Sequence, residues 1–328
     1  MKKILSLFLV LVMALGSLSL SCFAVEEEKD VFDINNYTDS ELDLTNYTMD
    51  DLTEMTPEEY TQLIRDFERV YDPFDSYEET VTETTTNPNA RWTSGDINLK
   101  GEYTEEGCHE YITSVACLVL LNDKGFFAND ATGAVVITLY ISLASLLPDK
   151  DEIGLFPFAG HFYNPITGKN YARSKTNVAS KNAQEHYTNA INEMIDGNED
   201  VAFEELGRCL HYVQDLCVPH HAANIIATNN DSHEAFEKYA FENAELFIGH
   251  WKRIIRHDYS KEAPKTPEKL AHNAALTAYD YQYFVDDVDD QTLWPKYAKL
   301  CLENAVDYSA IVMYRFGLDP AVEFYTDI

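Results

Sequence analysis

Within Leu210–Tyr239, LHYVQDLCVPHHAANIIATNNDSHEAFEKY, three short spacings gather side chains of one chemical kind. His211 and Asp215 stand four apart, His221 follows six residues later, and His233 and Glu237 form a second pair four apart. Residues so spaced share one helix face, with Cβ atoms roughly 5–6 Å apart, so each pair can close on a cation from successive turns. One such pair, in a chain with ten histidines, reads as a surface salt bridge. Two pairs change the reading, because Pro219 is expected to end the helix soon after Asp215 and to turn His221 back toward it. The stretch therefore reads as a metal cluster. Imidazole and carboxylate without sulfur suit zinc best among the common metals, with iron, nickel or manganese as substitutes.

Helices must position these ligands. Segments near 105–123, 131–147, 174–196, 199–218, 232–256, 267–286 and 296–315 have helical length and periodic apolar residues. The stretch 131–147, ATGAVVITLYISLASLL, is apolar nearly all round and reaches only the short limit for crossing a bilayer, with Pro148 read as its end. It is expected to be a central buried helix. No alternating strand pattern of useful length is present, so the fold class is all-α, a single multi-helix domain over residues 92–328. Cys108, Cys117, Cys209, Cys217 and Cys301 are an odd number without CxxC spacing; one or two disulfides stay open, and none is read as a ligand.

The chain of 328 residues is 45% hydrophobic and 12% aromatic, enough for a substantial core with segments to spare. Its net charge of −32 argues against a nucleic-acid surface built on Lys and Arg. Residues 1–24, with two lysines, a short apolar run and then small residues, read as a secretory signal cleaved after Ala24, which makes the protein secreted and extracellular. A lipoprotein reading would use Cys22, but Leu20 stands one place too close to it for a good lipobox. Residues 25–91 hold 20 acids against four bases and read as an acidic prosegment. A quasi-repeat, Asn36-Tyr37-Thr38 and Asn46-Tyr47-Thr48, leads into capping boxes Thr38 to Glu41 and Thr48 to Asp51; Thr56 to Glu59 makes a third. Beyond it Tyr60, Leu63, Ile64, Phe67 and Tyr71 mark one amphipathic helix, followed by the Thr-rich linker VTETTTNPNAR.

The segments RWTSG, CHEYI, LPD, AGHFYNPITGK, LHYVQD, VPHHAAN and HEAFE, in this order, resemble the bacterial zinc-dependent phospholipase C family, which includes the clostridial alpha-toxins. The resemblance implies three zinc ions in the cleft of an all-helical domain. It implies that Trp92, as a mature N-terminus, binds one ion through its α-amine and carbonyl together with His109 and one oxygen of Asp215. Asp149, His161, His211 and the other Asp215 oxygen are implied for the second ion, and His221, His233 and Glu237 for the third. Asp149 is the implied general base. His220 is left out, since in an extended segment it points away from His221, and His186, His250, His257 and His272 have no matching partners.

Substrate positions depart from the choline-specific members, whose acid, Tyr and Phe correspond to Gly95, Lys150 and Phe158 here. Asp96 stands beside the missing acid. Phe158 and Lys150 are the candidate substrate-binding residues, and Lys150 would repel a cationic headgroup. A chain ending at Ile328 is expected to lack the membrane-binding β-sandwich of the alpha-toxins and to be weakly haemolytic. The implied activity is hydrolysis of glycerophospholipid at a membrane surface by a monomer, made as a zymogen that an activating protease cuts between Arg91 and Trp92. On this reading the cut frees the prosegment, whose helix covers the cleft. The alternatives are a zinc-dependent single-strand nuclease, whose Asn-Leu-His-x-x-Trp-Asp segment is missing, and a non-catalytic zinc-binding protein.

Overall fold

A helix with apolar residues on every side must be surrounded, and ATGAVVITLYISLA lies at the centre of the molecule for that reason. The computed structural model describes residues 44–68, 108–125, 130–152 and 156–322, which fall in one compact unit. The readings of residues 1–24, of the Thr38 capping box, of the linker with Tyr71, and of Trp92, Gly95 and Asp96 lie outside the described residues.

The described residues form α1 (Met49–Glu54), α2 (Pro57–Glu68), α3 (Cys108–Lys124), α4 (Ala131–Ala144), α5 (Leu147–Asp151), α6 (Ala179–Asp196) and α7 (Glu199–Asp215). They continue as α8 (Pro219–Ala223), α9 (Asp231–Glu242), α10 (Ala244–Ile248), α11 (Tyr259–Glu262), α12 (Pro267–Tyr281) and α13 (Trp294–Gly317). Among them there is no strand, only an isolated antiparallel bridge between Asn164 and Lys169, so the domain is all-α as its periodicity predicts.

Helix α4 begins where the Asp130 carboxylate accepts the Gly133 amide at 2.8 Å. Its flanks are closed by α3, α7 and α2, which leaves it buried inside the protein, the alternative to a membrane span. Helix α7 is the second organiser: it packs along α6, α4 and α13 and carries His211 and Asp215 at its C-terminal end. Its approach to α4 is set by Gly207, where a Cβ would lie 2.4 Å from the Ile141 carbonyl oxygen and 2.6 Å from Ala144 Cβ. The α1–α2 pair packs on the same body, with Tyr60, Ile64 and Phe67 buried against α3 and α4. The amphipathic helix read from the sequence thus lays its apolar stripe on α3 and α4. Both capping boxes in the described part form: Thr48 with Asp51 and Thr56 with Glu59.

Element ends differ from the periodicity in four places. The helix expected over 174–196 starts at Ala179, because Ser174 Oγ accepts the Thr176 and Asn177 amides and holds a turn before it. The helix expected over 232–256 breaks at Asn243, whose side-chain amide donates to the Tyr239 carbonyl at 2.8 Å, and resumes as α10 and a 3-10 turn that buries Trp251. The helix over 267–286 tightens into a 3-10 turn after Tyr281. Finally, α4 stops at Ala144, and Pro148 stands in the first turn of α5, where its missing N–H is harmless. All five cysteines of the domain are buried thiols.

Gly207→Ala tests the α4–α7 packing. The methyl gains helix propensity but strikes a backbone oxygen that cannot turn aside, so a net loss of about 1–3 kcal/mol of stability is expected in thermal unfolding.

Candidate metal centre

The C-terminal turn of α7 brings two ligands to one point, and the sharp turn after it brings a third. His211 and Asp215 project from successive turns; the Cys217 and Val218 amides donate to the Gln214 and Asp215 carbonyls at 2.9 Å each, reversing the chain within three residues. Pro219 then starts α8, at the position where proline is best tolerated, and its one-turn helix returns His221 to 3.7 Å from Asp215 Oδ1. Asn224 ends that turn in the left-handed region (φ 61°), and its amide donates to the Lys169 carbonyl at 3.0 Å. The loop so gripped is NPITGK. Asn164 Oδ1 accepts the Ile166 and Thr167 amides, and Gly168 supplies the positive φ of 67° that closes it. This explains why HFYNPITGK and HAAN occur together: each loop holds the other.

Eight of the nine positions read as metal ligands gather here, in three groups: His109, His211 and Asp215; Asp149, His161 and His211; His221, His233 and Glu237. Within each group the ligand atoms lie within 4.8 Å of one another. The ninth, Trp92, lies outside the described residues. Asp215 faces four imidazoles. Its Oδ1 is 3.6 Å from His109 Nε2, and its Oδ2 is 2.9 Å from His161 Nδ1 and 3.3 Å from His211 Nε2. Asp149 Oδ1 is 3.6 Å from His161 Nδ1 and 3.7 Å from His211 Nε2, while Glu237 Oε1 meets His221 Nε2 at 3.1 Å and His233 Nε2 at 2.9 Å.

The residues fit zinc on two grounds. Two ligands of a tetrahedral zinc with bonds of 2.0–2.1 Å stand about 3.3 Å apart, which is within a few tenths of an ångström of the separations around Asp215 and Asp149. The outward nitrogens also fix the tautomers. His109 Nδ1–H donates to Gln214 Oε1 at 2.7 Å, His211 Nδ1–H to the Ser145 carbonyl at 2.8 Å, and His221 Nδ1–H to the His161 carbonyl at 3.0 Å. Each leaves Nε2 with its lone pair toward the acids. Gln214 is held for this by donating to Thr113 Oγ1 and Ser309 Oγ. His161 is turned the other way: Nε2 lies 3.4 Å from Glu152 Oε2, and Tyr212 OH donates to the other Glu152 oxygen. In the third group, His233 Nδ1 is buried without a hydrogen-bond partner.

Charge balance follows from burial. Burial pushes His109 down to about 4, reinforced by His211. Burial also disfavours charge on His161 and His221, but the carboxylates of Asp215 and Glu152 lift His161 to about 10, and those of Asp215 and Glu237 lift His221 to about 9. Against burial, His233 and His221 hold Glu237 down to about 2, and His211 and His221 hold Asp215 well below the usual carboxylate range.

The candidate substrate residues are placed differently. Phe158, only 4% exposed, stacks on His161 with centroids 4.5 Å apart and so supports that ring, while Lys150 is part-exposed on α5 beside Asp149. Glu152, Tyr212 and Gln214 were invisible to spacing arguments, although Gln214 directly precedes Asp215 and Glu152 follows Asp149 by three. His220, expected to point elsewhere, is fully buried: α8 is helical, so its ring stacks on His233 at 4.9 Å and Nε2 meets Ser232 Oγ at 3.1 Å. His186, His257 and His272, read as having no matching ligand partners, stay outside the metal groups and pair instead with Glu205, Asp307 and the Tyr163 hydroxyl.

An all-α domain with a buried cluster of carboxylates and imidazoles is a candidate metal-binding domain. Residues 138–286, just under half of the chain, match the family model described as zinc dependent phospholipase C. It is 26% identical over 249 residues to phospholipase C of Clostridium novyi, covering 67% of this chain and 60% of the relative. Identity is 26% over 195 residues to that of Paraclostridium bifermentans (54% and 48% covered) and 32% over 133 residues to that of Bacillus cereus (40% and 45% covered). The chain thus spans about half the length of the relatives it matches. Its fold is that of the alpha-toxins from Clostridium perfringens (avian strain SWCP; TM-score 0.53, 22% identical, covering 67% of this chain and 64% of that one) and Clostridium absonum (0.51, 22%, 66% and 64%).

Three measurements test the centre. Asp215→Asn keeps the shape but leaves one oxygen and no charge among four imidazoles, so elemental analysis is expected to show loss of more than one bound metal ion. Metal binding is also expected to release protons. His161 and His221 are charged in the metal-free protein below their values of about 10 and 9, whereas a ligand imidazole must be neutral. Calorimetry in buffers of different ionisation enthalpy at pH 7.5 should detect about two protons released by these residues, vanishing above about pH 10. By the same sign, the stabilisation from these raised values is complete below the unfolded value of about 6.5 and is lost as pH rises through 9–10, so metal-free protein should melt lower at pH 10 than at pH 7.

Proposed function

We propose that the chain is a secreted phosphodiesterase that holds three zinc ions, hydrolyses glycerophospholipids to diacylglycerol and a phosphorylated headgroup, and is activated by cleavage between Arg91 and Trp92. The observation that carries this reading is the gathering of three ligand groups, two of which share His211, around Asp215, whose oxygens lie within 3.7 Å of His109, His161, His211 and His221. A purely structural site needs one closed set of four ligands and gains nothing from ions held side by side. His109 and Asp215 with the freed Trp92 amine and carbonyl would hold one ion, Asp149, His161, His211 and Asp215 a second, and His221, His233 and Glu237 a third. Bound zinc supplies Lewis-acid polarisation of a phosphodiester and a lowered pKa for water, from 15.7 to about 7.

The remaining chemistry falls to the chain. At 9% exposed, Asp149 is the most accessible of the eight described ligand residues, so its carboxylate is the one best placed to take a proton from an incoming water. Gln214, Glu152 and the Ser145 and His161 carbonyls keep the imidazoles oriented without touching substrate. Lys150, adjacent to Asp149, favours anionic or small headgroups over choline. The need for cleavage rests on Trp92: its nitrogen is an amide in the precursor, with its lone pair delocalised into the peptide bond, and becomes an amine with a pKa of about 7.7–8.0 when the bond is cut.

The deciding experiment assays the chain cut between Arg91 and Trp92 on matched phospholipid vesicles and on single-stranded DNA, with and without chelator. Phospholipid hydrolysis that chelation abolishes is expected, faster on phosphatidylserine, phosphatidylglycerol or phosphatidylethanolamine than on phosphatidylcholine. Asp149→Asn should lower it about 100-fold or more, and an uncut Arg91→Gln precursor should stay inactive. DNA cleavage without lipid hydrolysis would move the assignment to the nuclease class, and full activity in the uncut precursor would remove the zymogen step.

A further inference from the structure

We infer that residues 44–68 stay bound to the catalytic domain as a separate, noncovalent chain after the precursor is cut, and that they brace the helical turn carrying His109. The docking is read from described contacts and does not depend on the enzyme's substrate; its place in the life of the protein rests on the cleavage proposed above.

Three observations support this. Leu52, Tyr60, Ile64 and Phe67 are at most 1% exposed, and their partners lie on α3 and α4, the most apolar helices of the domain. Helix α4 has no polar face to offer water, so removing α2 would expose a flank of a helix that is apolar all round. Buried polar groups of the domain are satisfied from the prosegment as well. Tyr60 OH pairs with Thr138 Oγ1 at 2.8 Å, Tyr111 OH donates to Glu58 Oε1 at 2.9 Å, and Arg65 Nε donates to Glu110 Oε1 at 3.2 Å. Lys252 reaches Glu54 at 3.3 Å from the far side of the pair.

The last link to the site is Glu110. It is buried, directly follows His109 and pairs with Arg65 at 3.2 Å, so losing Arg65 takes a charge partner from a buried carboxylate one residue from a ligand. Long-range charge does not hold the pair in place, since residues 25–91 hold 20 acids against four bases and the whole chain carries −32. Apolar burial and these local pairs therefore do the holding, and a cut within 69–107 removes none of them. Activation then alters the Trp92 nitrogen without shedding a cap.

The test uses the full chain lacking residues 1–24, with a site-specific protease sequence substituted within residues 80–90. After cutting, gel filtration and native mass spectrometry in physiological salt are expected to show both pieces co-eluting at the mass of the uncut protein and parting only in denaturant. Separation of the N-terminal piece under native conditions overturns the docking, whether or not the protein binds zinc or cleaves lipid. The bracing is read by hydrogen exchange in the full chain. Arg65→Ala is expected to speed exchange of the Ile112–Val115 amides several-fold, with Arg65→Lys restoring it, and unchanged exchange in Arg65→Ala overturns the brace.

Discussion

The structure depends on one carboxylate, Asp215, buried among four imidazoles at the end of α7. A buried charge is tolerated only when paired and hydrogen-bonded, and here every neighbour within ion-pair reach is a histidine. Imidazole can answer that charge in two ways, by taking a proton or by sharing a cation. The raised values of His161 and His221 describe the first, and the ligand-like separations of 3.3–3.7 Å describe the second. The end of α7 favours both, since the carbonyls of a helix C-terminus attract positive charge.

Helix packing serves to hold that point still. Gly207 lets α7 press onto α4 one turn before His211, and the Ser145 carbonyl just past α4 then orients the His211 ring. Gln214 ties α7 to α3 through Thr113 and to α13 through Ser309 while it orients His109. Thus the contacts that build the core are the same ones that set tautomers at the centre. This economy follows from burial: a ligand that is 0% exposed has only core groups to hydrogen-bond.

Residues 44–68 belong to the same body. Helix α2 packs on α4 and its Arg65 pairs with Glu110 beside His109, so a stretch that composition marks as separate is joined to the domain by packing. An acidic segment can pack as part of a core when its acids face water and its apolar stripe faces inward.

The sequence alone determined what repeats at short range. Spacings of four placed His211 with Asp215 and His233 with Glu237, apolar periodicity established the all-α class, and uniform hydrophobicity marked α4 as central. The Thr48 and Thr56 boxes were legible because capping is a contact three residues long. Tertiary structure decided what joins residues far apart in the chain. Glu152 meets His161 across a turn, Gln214 meets His109 across 105 residues, and Tyr60 meets Thr138 across 78. No local spacing encodes such pairs, because they exist only where separately formed helices are pressed together. His220 shows the limit at short range: whether its ring turned outward or onto His233 depended on Pro219–Ala223 being helical, a turn closed by Asn224, whose side chain reaches the Lys169 carbonyl on another loop.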